Sequence, residues 1–351
     1  MRYGLYSTIQ WIPFSLGLLS LACAVYVAHR TLRCPHCSSL AVLKHLHSWK
    51  MERKRFVPIA RMKYFMVLPH SLRNPRRKRN DEVLQMSLES RLDALFSIWK
   101  QGVCPGGQVL VRQHGKVLFR KNYGYANLEH EIPITSQTVF HVASVSKQIT
   151  VLALLLLQED GKVHIDDDIR NYVPDLIHFS EPVSVRQCMN NVSGIRDQWL
   201  ALVLHGVRID DTITQRDLKA IIAKQKKLNF APGSKYLYSN SNFTLLAEIV
   251  ERISGKSFSS FVEERIFKPL GMTHTVIRDT YWQMIPKKAY SYHDNGEGIF
   301  TWNVLNYGAY GATSLHTTAE DFMKILNNYR TPKVGSPATI DLMMHRPTLT
   351  D

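Results

Sequence analysis

The sequence predicts an α/β (α+β) domain, richer in helix than in strand, that begins near residue 81. Three observations carry that expectation. Residues 141–161, HVASVSKQITVLALLLLQEDG, contain an unbroken apolar run from Val151 to Leu157, which reads as a helix buried on every side. Residues 108–113 and 116–122 read as two strands joined at His114-Gly115, a hairpin. Further along, Phe243, Leu246, Ile249, Val250 and Ile253 fall on one side of an amphipathic helix over residues 242–253.

Charge separates this domain from what precedes it. The chain of 351 residues has a formal charge of +15 and 45% hydrophobic residues, enough for a substantial core. Residues 1–80 hold 15 Lys or Arg against a single acid, Glu52, whereas residues 81–351 hold 29 against 28. The positive charge is therefore an appended arm with few interleaved aromatics, and no nucleic-acid partner is expected. No charged residue lies between Tyr3 and Ala28, and about twenty apolar residues span a bilayer. The expectation is a transmembrane anchor over residues 1–30, with a cleaved signal segment as the rival reading. A basic juxtamembrane linker follows over residues 31–80, either solvated or lying on anionic lipid. The expected localisation is a single-pass membrane protein, with the linker on the cytoplasmic side by the positive-inside rule. Five cysteines are too few for a disulfide scaffold. Cys34-Pro-His-Cys37, with His36, His45 and His47 nearby, fits no common zinc spacing, so neither metal nor cofactor is expected.

Within the domain (residues 81–351), Leu88, Leu92, Leu95, Phe96 and Trp99 form one helical face ahead of the hairpin. A polar connection over residues 123–138 leads to the central helix, which Gly161 can end in a left-handed cap. Asp166-Asp167-Asp168 reads as a solvated, helix-capping turn, because a calcium loop needs more ligands at alternate positions. Helices are expected over residues 183–189, 217–226 and 258–266. A last one, capped by Thr317 or Thr318, runs through Phe322, Ile325 and Leu326. Residues 198–211 and 280–307 read as loops that line a substrate pocket.

Chemistry concentrates at the start of the central helix. Ser144 and Lys147 are three apart, so a helix beginning at or just after Ser144 puts both on one face of its first turn. A lysine buried there pays a desolvation penalty, its pKa falls, and it can take the serine proton. The unpaired N–H groups of the helix start favour negative charge developing near Ser144.

Ser144-Val145-Ser146-Lys147, followed by Tyr238-Ser239-Asn240 in a turn, resembles the serine β-lactamase and penicillin-binding-protein superfamily. The closer likeness is to its class C β-lactamase, D-Ala-D-Ala carboxypeptidase, D-aminopeptidase and esterase branch. Asn191-Val192-Ser193-Gly194-Ile195, Phe230-Ala231-Pro232-Gly233 and Pro269-Leu270-Gly271-Met272 stand in the same order as in that family. The resemblance covers roughly residues 84–330 and implies an α/β/α sandwich with an antiparallel sheet. It also implies a serine hydrolase, membrane-anchored on the reading of residues 1–30, that acts through an acyl-enzyme on an amide, ester or β-lactam bond of a peptide or small molecule. Ser144 would be the nucleophile and Lys147 its base. Tyr238 would shuttle protons, its phenol pKa lowered by positive charge, and Asn240 would hold Lys147 and the substrate amide. The Ser144 N–H would be one oxyanion donor. Two departures stand out: Asn191 where relatives usually have His, and Gly311-Ala312-Thr313-Ser314-Leu315 in place of a glycine-rich turn. The family's third motif, a Lys/His-x-Gly strand carrying the other oxyanion donor, has no match after Asn240. That predicts a domain lacking its C-terminal strands, with little turnover. The alternative function is a catalytically impaired fragment or a non-catalytic binding module of the same fold.

Overall fold

The computed structural model describes residues 87–296, 298–345 and Leu349. The expected anchor at 1–30, the linker at 31–80 and the Cys34–Cys37 pair lie outside the described residues. The N-terminal transmembrane helix and the membrane localisation inferred from them are corrected: among the described residues, no helix is long and apolar enough to cross a membrane. The apolar run at 151–157 is covered by protein, not lipid, and belongs to the main hydrophobic core.

Helix α1 (Leu88–Leu95) is capped by Ser87 and passes into a 3₁₀ turn, Ser97–Lys100. Its Phe96 and Trp99 pack on Phe119 and Tyr123 of the hairpin formed by β1 (Gly107–Gln113) and β2 (Lys116–Tyr123). His114 and Gly115 both take positive φ, 46° and 81°, as a two-residue hairpin turn requires. The two strands pair only with each other among the described residues. A second small pair, β3 (Tyr125–Asn127) and β4 (Ile132–Pro133), follows.

β5 (Phe140–His141) delivers the chain to a 3₁₀ turn, Ala143–Ser146, and then to α2 (Lys147–Glu159). Every residue of α2 from Lys147 to Leu157 is buried. At its end Lys162 N donates to Leu157 O (2.9 Å) and Gly161 sits at φ 69°, the expected left-handed stop. The acidic triplet is spent on local structure. Asp168 caps the turn Ile169–Asn171, Asp166 binds Arg186, and Asp167 accepts from the Tyr172 hydroxyl.

Four helices follow along the chain. They are α3 (Val185–Met189, with a Ser184/Gln187 capping box), α4 (Gln198–Leu204), α5 (Gln215–Ala223) and α6 (Asn240–Ser254). The chain continues through α7 (Phe258–Val262), a π-turn (Glu263–Phe267) and α8 (Lys268–Leu270). β6 (Val276–Ile277) precedes a hairpin of β7 (Tyr292–Asp294) and β8 (Phe300–Trp302). β9 (Leu315–Thr317) lies between β5 and β6 in a three-stranded antiparallel sheet. α9 (Ala319–Asn328, capped by Thr318) and α10 (Pro337–Met344) end the described chain.

The core is the seam between α2 and α6. Ile149, Leu152, Leu155, Leu245, Leu246 and Ile249 are all 0–1% exposed. Each such side chain contributes about 1.5–3 kcal/mol by leaving water. That seam matters for chemistry because Ser144 and Lys147 lie at the N-terminal end of one helix and Asn240 opens the other. Part of the expected pocket lining differs from the sequence reading. Residues 198–204 are helix rather than loop; its six consecutive apolar residues from Trp199 to Leu204 show no one-sided stripe, and Leu200 and Leu204 are 61% and 77% exposed. β5, β6 and β9 are two or three residues long, too short for periodicity to register.

Candidate active site

Ser144 lies in the 3₁₀ turn and Lys147 is the first α-helical residue, so the regular helix starts one turn later than expected. Side chains at i and i+3 eclipse in a 3₁₀ turn, and this brings Lys147 Nζ to 3.1 Å from Ser144 Oγ. Ala143, immediately before, is held at φ 47°, a conformation unusual for a side chain with a Cβ. Three hydrogen bonds hold the turn in place. Val142 N donates to Leu315 O (3.0 Å), and Ser146 Oγ accepts from Leu315 N (2.9 Å) while donating to Ala143 O. Ser146 is thus consumed by the fold, whereas Ser144 is exposed.

All four residues singled out by the sequence meet. The Tyr238 hydroxyl lies 2.6 Å from Ser144 Oγ and donates to Asn240 Oδ1 at 3.4 Å. Lys147 Nζ donates to Asn240 Oδ1 (2.8 Å) and to the carbonyl of Ala312 (2.7 Å), and stands 4.8 Å from the centre of the Tyr238 ring. The turn at Gly311 therefore feeds the site directly. Gly311 has φ 83°, and an added Cβ would lie 2.3 Å from Phe243 O, so only glycine lets this turn reach α6 and aim the Ala312 carbonyl at the amine.

Lys147 is 8% exposed. Burial strips water from its ammonium and lowers its pKa to about 7; the negative charge of Asp197 partly offsets this. At neutral pH a substantial fraction of the amine is free base. His141 and His316 lie side by side behind the nucleophile turn, with ring centres 5.0 Å apart. Burial, reinforced by Arg278 and Lys288, lowers His141 to about 4, and burial also lowers His316 to about 3, so both are neutral. Their hydrogen bonds go to Thr313 and Ser314.

Two residues outside the four support them. Asp197 Oδ2 accepts from both the backbone N and the Nδ2 of Asn240, each at 2.7 Å. Asn191, in the position that departs from the family pattern, accepts on Oδ1 from Ser239 N (3.1 Å) and from Asn242 Nδ2 (3.0 Å), and so ties down the turn that carries Tyr238. The sequence singled out Asn191 as a departure from the family pattern but did not mark Asp197. The available signal was an acid immediately before an apolar segment, the mark of an N-cap.

With this geometry in hand, comparison with known proteins places the chain. A model of the beta-lactamase family matches residues 89–350. The chain belongs to the beta-lactamase family and has its α/β fold. It is 33% identical over 238 residues to a D-aminopeptidase of Gluconobacter oxydans, covering 68% of this chain and 45% of that protein. The chain thus spans less than half the length of that relative. Among solved structures, the octameric penicillin-binding protein homologue of Pyrococcus abyssi is 27% identical at a TM-score of 0.59, covering 67% of this chain and 55% of that one. FmtA of Staphylococcus aureus is also 27% identical at a TM-score of 0.59, covering 77% and 70% respectively.

Proposed function

We propose that this chain carries the acylation centre of a serine hydrolase that cleaves amide bonds, with Ser144 as nucleophile. The observation that carries the reading is the position of Ser144 Oγ, 3.1 Å from a buried lysine amine and 2.6 Å from a phenol. Ser144 Oγ gives its proton to the neutral Lys147 amine as the Oγ–carbon bond forms. The Ser144 N–H, at the start of the 3₁₀ turn, is placed to stabilise the developing oxyanion. Tyr238 hands a proton to the leaving nitrogen as the carbon–nitrogen bond breaks, and the proton taken from Ser144 replaces it. Water then attacks the ester, its proton passes through the Tyr238 hydroxyl to the Lys147 amine, and Lys147 returns it to Ser144 Oγ as the carbon–Oγ bond breaks. Asn240 holds Lys147 and is placed to meet the substrate amide. The name of the Gluconobacter relative, D-aminopeptidase, favours peptides or amides carrying a D-residue as substrates.

The test is covalent labelling of the full chain with a fluorophosphonate, read by intact mass, followed by hydrolysis of a D-alanine p-nitroanilide. The expected result is one adduct on wild type, none on Ser144→Ala, and amide cleavage that requires Ser144. An adduct that persists on Ser144→Ala would place the nucleophile elsewhere. A wild-type chain that takes no label would leave a non-catalytic member of the fold.

A further inference from the structure

We infer that Asp197 is a positioning residue, which locks the Asn240 amide in the one orientation that turns the Lys147 lone pair toward Ser144. Only the rate effects predicted below rest on the hydrolase reading above.

Asp197 joins two helix starts. Its Oδ1 accepts from Trp199 N (2.9 Å) and Leu200 N (3.1 Å), capping α4. Its Oδ2 accepts from the backbone N and from Nδ2 of Asn240, the first residue of α6. Ser239, the residue before α6, makes no side-chain cap of its own, so the cap arrives from another helix. A carboxylate can only accept. The amide must therefore turn Nδ2 to Asp197 and Oδ1 to the opposite side, where it meets Lys147 Nζ at 2.8 Å.

The amine's own inventory completes the argument. A neutral amine has two N–H groups and one lone pair. Asn240 Oδ1 and Ala312 O take the two hydrogens, and the remaining direction points to Ser144 Oγ at 3.1 Å. Were the Asn240 amide reversed, its Nδ2 would point at Nζ, and the lone pair would be drawn to that donor instead of to the serine hydroxyl. The titratable groups facing the amine are Tyr238, from the turn before α6, and Asp197, from the start of α4. Of these, Asp197 opposes the desolvation of the ammonium and holds the pKa of Lys147 up.

The experiment uses Asp197→Asn and Asp197→Ser in the full chain. Both replacements are good N-caps for α4, and both remove the charge and the obligate acceptor. Three readouts are taken: the pH profile of fluorophosphonate labelling, the titration of the Lys147 side-chain ¹⁵Nζ signal, and the Asn240 side-chain ¹⁵Nδ2 signal. Losing the negative charge disfavours the ammonium, so the Lys147 titration and the acid limb of the profile should both move down by about one pH unit. The plateau labelling rate should fall about 10- to 100-fold, within what positioned proton transfer contributes. Variants that only melt earlier, with the wild-type Lys147 titration and pH profile, would show Asp197 to be a helix cap and overturn the inference. If wild type takes no label, the hydrolase reading fails; the positioning role then stands if the Asn240 side-chain ¹⁵Nδ2 signal shifts in both variants along with the Lys147 titration, and falls if the Lys147 titration moves alone.

Discussion

Replacing Lys147 by methionine should stabilise the domain at mildly acidic pH while removing its proposed base, and the gain should disappear as pH rises. Lys147 is 8% exposed, and its pKa falls from the ordinary 10.5 to about 7. Between those two values the unfolded chain holds a proton that the folded chain has released, so stability rises with pH across that window. Below it, burial of the amine costs at most about 5 kcal/mol, at 1.36 kcal/mol per unit. Methionine removes that penalty at similar length. It also takes the Lys147 donor from the carbonyl of the buried Ala312 and from Asn240 Oδ1, which keeps only the longer bond from Tyr238, at about 1–3 kcal/mol each. The net expectation at pH 6 is a variant more stable by about 1–2 kcal/mol. From pH 6 to pH 9 the wild type should gain about 3 kcal/mol on the variant, enough to reverse their order. At about 2–4 °C per kcal/mol for a domain of this size, the gap in melting temperature should swing by roughly 6–12 °C. Thermal unfolding of both proteins at the two pH values, followed by circular dichroism, measures it. A gap independent of pH, or one that moves in the variant's favour at pH 9, would refute the claim that desolvation governs this lysine.

Three further outcomes follow from the same geometry. Ser146→Ala should keep fluorophosphonate labelling, because Ser146 Oγ is turned to Ala143 O and Leu315 N, yet lower stability by about 1–3 kcal/mol through the orphaned Leu315 N–H; loss of labelling in a folded protein would contradict this. Asn191→Ala should destabilise by about 2–4 kcal/mol and slow labelling, since it places alanine at φ 57° and strips the fully buried Ser239 N–H of its acceptor next to Tyr238; urea unfolding together with labelling rates tests both halves. Gly311→Ala should destabilise by at least about 2 kcal/mol, because its Cβ would meet Phe243 O at 2.3 Å; displacement of the Ala312 carbonyl should also shift the pH profile of labelling, and a variant with wild-type stability and profile would remove that turn from the site.

What was legible in the sequence was whatever one local pattern could encode. The apolar run at 151–157, the turn at His114-Gly115 and the left-handed stop at Gly161 each follow from a few neighbouring residues. Ser144 and Lys147 could be paired from sequence because a single helical turn sets their distance. Tyr238 and Asn240 could be added only through the resemblance, since no spacing rule links them to a serine about ninety residues earlier. The tertiary structure decided the rest. It seats α6 against α2 so that Asn240 meets Lys147, and it brings the Ala312 carbonyl, 165 residues away in the chain, to the same amine. It also turns Asp197 from a local cap of α4 into the acceptor that orients Asn240. These contacts depend on where buried helices come to rest against one another. Packing of nonlocal apolar faces fixes that, and no pattern along the chain records it.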